Sequence, residues 1–351
     1  VASALDLAAE LGHERVLLIS DRAAGLRAVV AIHSTTLGPG VGGTRVRAYP
    51  SFDGAVIDAL LLSRAMTFKS AYAGLPLGGA KAVIDADPAT AKSPALLEAF
   101  ARATAELEGR FVTGGDMGIE PDDLRFMARF SRVFEHAPAG GAGPDPSELT
   151  AIGVQAAIGA VAARLGKPLA GLEVAIQGVG EVGGRLARRL AAAGARLTLA
   201  DAQPARAREL AAELGAAQAA PETILETRCD ILSPNAAGGV LDEASAERLA
   251  CRAVVGAANN PLASAYVGYD LAARGILYAP DFVVSAGGVL SLLGERGELD
   301  EAGLRARVER IGADLAELLD AAEREGVPPF RLAERRVEER LAAARAARRR
   351  G

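Results

Sequence analysis

The sequence predicts an α/β protein of two domains, and three observations carry that expectation. The chain has 351 residues, more than a single hydrophobic core normally organises. Through its second half, short β-branched and apolar runs alternate with Ala-rich helical stretches, the pattern of a parallel sheet wound with helices. One stretch, 137–148 (APAGGAGPDPSE), is rich in Pro, Gly and small residues and marks a hinge. It separates a first domain, 1–140, from a second, 141–327. The final helical segment, 328–351, is a candidate to return to the first domain.

Composition narrows the class. The chain is 50% hydrophobic and 24% charged, the profile of a soluble globular protein. Its net charge of −5 argues against a nucleic-acid partner. Cys229 and Cys251 match no metal or redox spacing, so neither a metal site nor a disulfide framework is expected. The opening VASALDLAAELGHERV lacks a basic segment followed by an apolar run, so no signal peptide is expected. No apolar run reaches the ~18 residues of a membrane span. These readings together place the protein in the cytoplasm.

The elements follow in order. Residues 1–13 read as a short helix, and 16–20 and 26–33 as strands joined by the turn-forming DRAAG. His33, at a strand end, reads as structural. LGPGVGGTRVRAYP (37–50) reads as a glycine loop whose N–H groups can meet a carboxylate or phosphate, or as a tight turn. Residues 53–67 read as a helix capped by Asp53, with Ala55, Ile57, Leu60, Leu61 and Ala65 on its apolar side. It delivers Met66 and Lys69 to the next loop. A short strand, 82–84, follows GGAK, and a helix starts at Pro94. GRFVTGGDMGIEPDD (109–123) reads as strand, glycine turn and helix start. Its Asp116 either faces a ligand or caps the turn.

MTFKSAYAGLPLGGAKAVID (66–85) is chemically distinctive. Among 39 basic residues only four are lysine: Lys69, Lys81, Lys92 and Lys167. Two of them fall in this apolar, glycine-rich stretch. A desolvated lysine can lose its proton, whereas an arginine effectively cannot. The pair is therefore a candidate for acid/base or substrate-binding work, against the reading of surface lysines with buried stems.

After a helix over 149–165 comes a nucleotide-binding fingerprint. LEVAIQG (172–178) is a buried strand, GVGEVGG a turn, 185–194 a helix and RLTLAD (196–201) the next strand. Gly178, Gly180 and Gly183 form G-x-G-x-x-G, with Val179, Glu181 and Val182 between them. Asp201 ends the next strand, placed for adenosine ribose hydroxyls. An acid there repels a 2′-phosphate, so NAD is expected rather than NADP, with Arg206 and Arg208 nearby. Residues 229–234, 253–259, 275–280 and 282–288 read as further parallel strands. Ligands of such a sheet bind at strand C-termini. Asn235, Ala236, Asn259, Asn260, Ser285 and Gly287 lie there, and Asn259 and Asn260 either meet a nicotinamide or substrate amine or turn the chain before Pro261. Residues 302–325 and 330–349 read as helices. The arginines of the last are interspersed with glutamates, a solvated face rather than a nucleic-acid arm.

Several segments in one order resemble the glutamate/leucine/phenylalanine/valine dehydrogenases, closest to the leucine, valine and phenylalanine type. They are GPGVGGTR (38–45), MTFKSAYAGLPLGGAK (66–81), TGGDMG (113–118), QGVGEVGG (177–184), CDILSPNAAGG (229–239), GAANN (256–260) and YAPDFVVSAGG (278–288). The resemblance implies an N-terminal α/β substrate domain, a C-terminal Rossmann-type NAD domain and an active-site cleft between them. It implies a homo-oligomer that reversibly converts an L-amino acid, NAD and water into a 2-oxo acid, ammonium and NADH. Lys69 would bind the substrate carboxylate, assisted by Gly42 and Gly43. Lys81 would be the general base that activates water, Asp116 would assist proton transfer at the amine, and Asn260 would hold substrate or nicotinamide.

The chemistry of the residues agrees. Hydride removal from Cα needs a neutral amine and an anchored carboxylate. Two ammoniums in one apolar cleft push their titrations apart, so one stays charged while the other cycles. Glutamate-specific relatives typically place a lysine before the Gly-Gly pair. Val41 stands there in this chain and offers nothing to a second carboxylate, so an apolar substrate (Leu, Val, Ile or Phe) is expected. Ser285 replaces a usual Asn, Asn235 a usual Cys, and Gly114 and Gly115 bulkier residues. Two other readings are a different NAD-dependent dehydrogenase of this fold, such as one acting on a folate, and a non-catalytic NAD-binding protein. Neither needs Lys69, Lys81 and Asp116 together.

Overall fold

The structure, a computed structural model, describes residues 3–134, 145–236 and 238–349. The chain divides into two compact units, Val1–Gly143 with Val337–Gly351, and Pro144–Arg336. Most of the expected hinge, 137–144, lies outside the described residues, and Asp145 caps the helix that follows. No described helix is long and apolar enough to cross a membrane.

In chain order the first unit holds α1 (Ala4–Leu11), β1 (Arg15–Asp21), β2 (Leu26–Ser34), β3 (Gly40–Val41), β4 (Thr44–Arg47), α2 (Phe52–Tyr72), β5 (Gly78–Asp85), α3 (Pro94–Thr104), β6 (Phe111–Val112) and α4 (Pro121–Met127). Its sheet is mixed, in the order β1-β2-β5-β3-β6, with β4 also against β5. The expected glycine loop is thus two short strands. β3 runs parallel to the start of β5 and β4 to its end, with Gly42 and Gly43 between them. A Cβ on Gly42 would lie 1.7 Å from the Ala80 carbonyl oxygen, so this glycine serves close strand approach.

Strand alternation sorts the side chains of β5. Ala80, Ala82 and Ile84 join Val30, Val46, Phe100 and Phe111 in one core. Val83 joins Val29, Ala55 and Leu60 in the other, toward α2. Lys81 shares the α2 face with Val83.

Four expectations about these elements are corrected. α2 starts from Ser51, not Asp53, and runs to Tyr72 before Gly74 turns with φ 83°. Nothing between them breaks a helix, so Met66 and Lys69 sit on its last turns, not in a loop. Leu61 is 39% exposed instead of lining the apolar side. The strand expected at 82–84 begins at Gly78 and includes GGAK.

The second unit holds α5 (Pro146–Arg164), β7 (Glu173–Gln177), α6 (Glu181–Ala192), β8 (Arg196–Ala200), α7 (Pro204–Leu214), β9 (Ala217–Gln218), β10 (Cys229–Pro234), α8 (Glu243–Arg248), β11 (Cys251–Val254), α9 (Ala265–Ala273), β12 (Leu277–Tyr278), α10 (Asp281–Val284), α11 (Gly287–Glu295), α12 (Glu301–Glu309) and α13 (Ile311–Glu325). α14 (Pro329–Arg348) crosses the boundary between the units. The sheet is wholly parallel in the order β12-β11-β10-β7-β8-β9. Counting from β7, this is the 3-2-1-4-5-6 order of a Rossmann sheet, with its switch point between β7 and β10.

Residues 282–288 are helical, not a strand. Every residue from Asp281 to Gly287 is buried. A short apolar run buried all round has no period by which to tell strand from helix. The single helix expected over 302–325 breaks at Arg310 into α12 and α13. Cys229 and Cys251 face each other on β10 and β11 as free thiols, which burial pushes up to about 12 and about 11.

Candidate active site and dinucleotide site

In the first unit, three elements bring charged groups to one face of the sheet. β5 supplies Lys81. β4 supplies Arg45, whose parallel partner in register is Val83, so Arg45 lies diagonally across from Lys81 on the α2 side. The segment after β6 supplies Asp116. It is held along β4 by the Thr44 N–H on the Gly114 carbonyl (2.9 Å), the Val46 N–H on the Met117 carbonyl (2.8 Å) and a Thr44–Thr113 hydroxyl bond (2.8 Å). Gly43 permits the approach, since a Cβ there would sit 2.7 Å from the Gly115 carbonyl oxygen.

The Lys81 ammonium donates to Asp116 Oδ2. Arg45 Nη2 lies 3.3 Å from the same oxygen, and the Met117 N–H donates to Asp116 Oδ1 at 2.6 Å. Burial pushes the Lys81 ammonium below the ordinary lysine range. Arg45 pushes the same way, and Asp116 and Asp58 oppose it. Burial alone would raise the Asp116 carboxyl, but the two cations hold it at about 2. The pair therefore joins a firmly ionised carboxylate to an amine eased toward neutrality.

Lys69 is 7% exposed on the last turn of α2. A Cβ on Gly79 would fall 2.0 Å from the Thr67 backbone nitrogen, so β5 and α2 touch two residues before each lysine. Val41 is buried in β3, and Met66 is half-buried. Gly42 and Gly43 differ. The Gly42 N–H already donates to the Val112 carbonyl at 3.2 Å, which leaves Gly43 as the candidate for backbone assistance. Gly114 has open space where a Cβ would stand. His33 is structural, its ring bonded to Thr67 and to the Leu11 carbonyl.

In the second unit the glycine fingerprint joins β7 to α6. Gly178 has φ 86°, and a Cβ there would lie 2.7 Å from Ala236 Cβ. One on Gly183 would lie 1.9 Å from the Gly178 carbonyl oxygen, so that glycine seats the helix on the strand. Gly180, the N-cap of α6, has no atom nearer than Arg206 Nη1 at 3.8 Å to where its Cβ would be. An uncapped helix N-terminus beside an open glycine suits a pyrophosphate. Val179, Gly180, Glu181 and Arg206 line a cavity of about 390 Å³, and Val182 is half-buried on the first turn of α6. These residues fit a dinucleotide.

Asp201 follows β8. Its carboxylate accepts the Val179 N–H and the Gln203 N–H, both at 2.9 Å, and each oxygen keeps a lone pair for a ribose hydroxyl. At the strand ends, Asn260 has φ 49°, the only left-handed non-glycine among the described residues. Its N–H donates to Asp281 Oδ2 (2.9 Å), and Tyr278 Oη donates to Asp281 Oδ1 (2.9 Å). Asn259 precedes it on the same turn. Asn235 ties β10 to the next loop, with its amide on Ser233 and its oxygen taking the Ala257 N–H. Ser285 donates to the Asp281 carbonyl at 2.7 Å. Among the described residues no three His, Cys, Asp or Glu side chains converge to hold a metal ion.

Sequence reasoning missed Arg45, Asp58, Tyr49, Asp281 and Tyr278. The alternation in TRVR carried a signal for the first: Val46 turns to the core, so Arg45 must face the other side.

Comparison with known proteins gives the family. The model described as the Glu/Leu/Phe/Val dehydrogenase dimerisation domain matches residues 13–132. The one described as Glutamate/Leucine/Phenylalanine/Valine dehydrogenase matches residues 202–297. A valine dehydrogenase of Streptomyces albus is 43% identical over 343 residues, 96% of this chain and 94% of its own. A leucine dehydrogenase of Thermoactinomyces intermedius is 38% identical, over 94% of this chain and 91% of its own. The crystal structure of L-tryptophan dehydrogenase from Nostoc punctiforme superposes with a TM-score of 0.76 at 36% identity, over 97% of this chain and 99% of that one. With two family models matched and relatives aligned over nearly the whole chain, the chain belongs to the glutamate/leucine/phenylalanine/valine family of amino-acid dehydrogenases.

Proposed function

We infer that the protein catalyses the reversible, NAD-dependent oxidative deamination of an apolar L-amino acid. The reaction joins the amino acid, NAD⁺ and water to give a 2-oxo acid, ammonium, NADH and a proton. The observation that carries this reading is the contact of the buried Lys81 ammonium with the half-buried Asp116 carboxylate. The first unit is the substrate domain and the second the NAD domain, and NAD, when bound, supplies the acceptor for the Cα hydride.

Lys69, charged, anchors the substrate carboxylate, with the Gly43 N–H beside it. Lys81, eased toward its neutral form, takes a proton from the water that attacks Cα. Asp116 is ionised in the resting pair, balances the cationic imine of the substrate, and relays to the departing amine the proton that Lys81 took from the water. Gly178, Gly180 and Gly183 with the first turn of α6 hold the pyrophosphate. Asp201 takes the adenosine ribose, which favours NAD over NADP. Ala236, Asn259 and Asn260 border the nicotinamide end.

Val41 supports an apolar side chain, since it gives a second carboxylate no partner. The valine and leucine enzymes among the relatives support the same choice, and the open space at Gly114 leaves room for a larger group. A homo-oligomer fits the dimerisation domain matched by the first unit.

The test is NADH formation at alkaline pH with a panel of L-amino acids, for the wild type and Lys81→Ala. Turnover of Val, Leu or Phe that falls by about 10²–10⁴-fold in the variant supports the reading. A folded wild type that binds NADH yet oxidises no amino acid overturns it.

A further inference from the structure

Arg45 is bound on both sides. Its Nη1 donates to Asp58 Oδ2 at 2.9 Å, and its Nη2 lies 3.3 Å from Asp116 Oδ2. Asp58, on α2, also accepts the Tyr49 hydroxyl. Burial and the Asp58 carboxylate raise that phenol, so it stays protonated and remains a donor. The guanidinium therefore links a carboxylate braced by helix and loop to the carboxylate that Lys81 touches. The Arg45 side chain is 13% exposed, and its buried Nε has no hydrogen-bond partner. Burying an arginine with an orphan donor is costly, and such exceptions call for an explanation.

We propose that Arg45, braced by Asp58 and Tyr49, is a positioning residue that fixes the Asp116 carboxylate beside Lys81 and balances the charge of that pair. The inference rests on the reading of Lys81 as the base. Arg45 acts through Asp116 rather than on the substrate. Its fork reaches two carboxylates at once, which a lysine cannot reproduce. The charged groups bearing on Lys81 are Asp116 from the segment after β6, Arg45 from β4 and Asp58 from α2. Lys69 lies three turns further along α2 than Asp58. Of these, Arg45 is the cation that favours loss of the Lys81 proton, and the carboxylates oppose it. Removing the guanidinium should make Lys81 hold its proton to higher pH.

The chain offers a direct readout, because it contains four lysines. With ¹³Cε-labelled lysine, Lys81 is assigned by the signal lost in Lys81→Ala, and its titration is followed without cofactor or turnover. In Arg45→Gln the Lys81 titration and the acid limb of kcat/KM should both move upward by about one pH unit. In Arg45→Lys the charge remains, so the limb should stay within a few tenths of a unit while kcat falls by about tenfold. If Arg45→Gln does not fold, Asp58→Asn serves. It removes an opposing charge and the brace, so Lys81 should titrate lower and kcat should drop.

A folded Arg45→Gln, or in its place Asp58→Asn, whose Lys81 titration matches the wild type overturns the proposal. Turnover that survives in Lys81→Ala overturns the reading of the base instead, and the lysine titration still reports whether Arg45 governs the pair.

Discussion

His33 shows how a side chain can matter without touching the chemistry. Its ring is buried, and burial, with the neighbouring His13, Arg64 and Arg345, lowers it to about 3. An unfolded chain would protonate it near 6.5. Between those values the unfolded state binds a proton that the native state refuses. The stability from the neutral ring is therefore complete above pH 6.5 and is lost as pH falls toward 3, by at most about 1.4 kcal/mol per pH unit. His13, stacked edge-on at 4.9 Å and also lowered by burial, adds in the same direction. Urea midpoints measured from pH 8 to pH 5 should fall less steeply in His33→Gln than in the wild type. Equal slopes would show that other groups govern the acid limb.

At the scale of elements, the contact of β5 with α2 decides where Lys81 and Lys69 stand. Gly79→Ala places a methyl 2.0 Å from the Thr67 nitrogen and 2.6 Å from the Ser63 carbonyl oxygen, so strand and helix must separate. It should cost about 1–3 kcal/mol in a denaturant melt and reduce turnover with it. Gly114→Ala, with open space around its added methyl, should leave the melt within about 0.5 kcal/mol. A Gly79→Ala melt equal to the wild type would contradict the close contact.

Much of this was legible beforehand. The β7–α6 fingerprint is written in neighbouring residues, and so is the lysine pair. What escaped was non-local. The extent of α2 hid behind the assumption that Met66 and Lys69 needed a loop. The glycine-rich 37–50 stretch hid β3 and β4 because its glycines answer to Ala80 and Gly115, 35 or more residues away. The helix α10 was indistinguishable from a strand, since burial on every side erases periodicity. Arg45 gained its meaning only when Asp58 and Asp116 came beside it.

At the scale of the whole molecule, each unit has its own sheet and its own core, but the chain visits the first unit twice. Val337 and Leu341 of α14 are buried, Arg340 donates to the Gly74 carbonyl at 3.0 Å, and Arg345 to the Thr36 hydroxyl at 3.3 Å. A chain ended before Val337 should keep the parallel sheet and its NADH affinity, measured by fluorescence, while losing amino-acid turnover. Loss of NADH binding as well would mean that the second unit also depends on this tail.

The same double visit has a consequence during synthesis. Domains commonly fold as they leave the ribosome, the N-terminal one first. Here the first unit emerges first yet lacks a piece of itself until the segment from Val337 onward has followed the second unit. The Rossmann sheet is translated whole in the interval, so the half made second can be the half finished first. A prematurely terminated chain would then release a finished second unit attached to an unfinished first one, and quality control would meet the exposed surface of the first unit rather than that of the second.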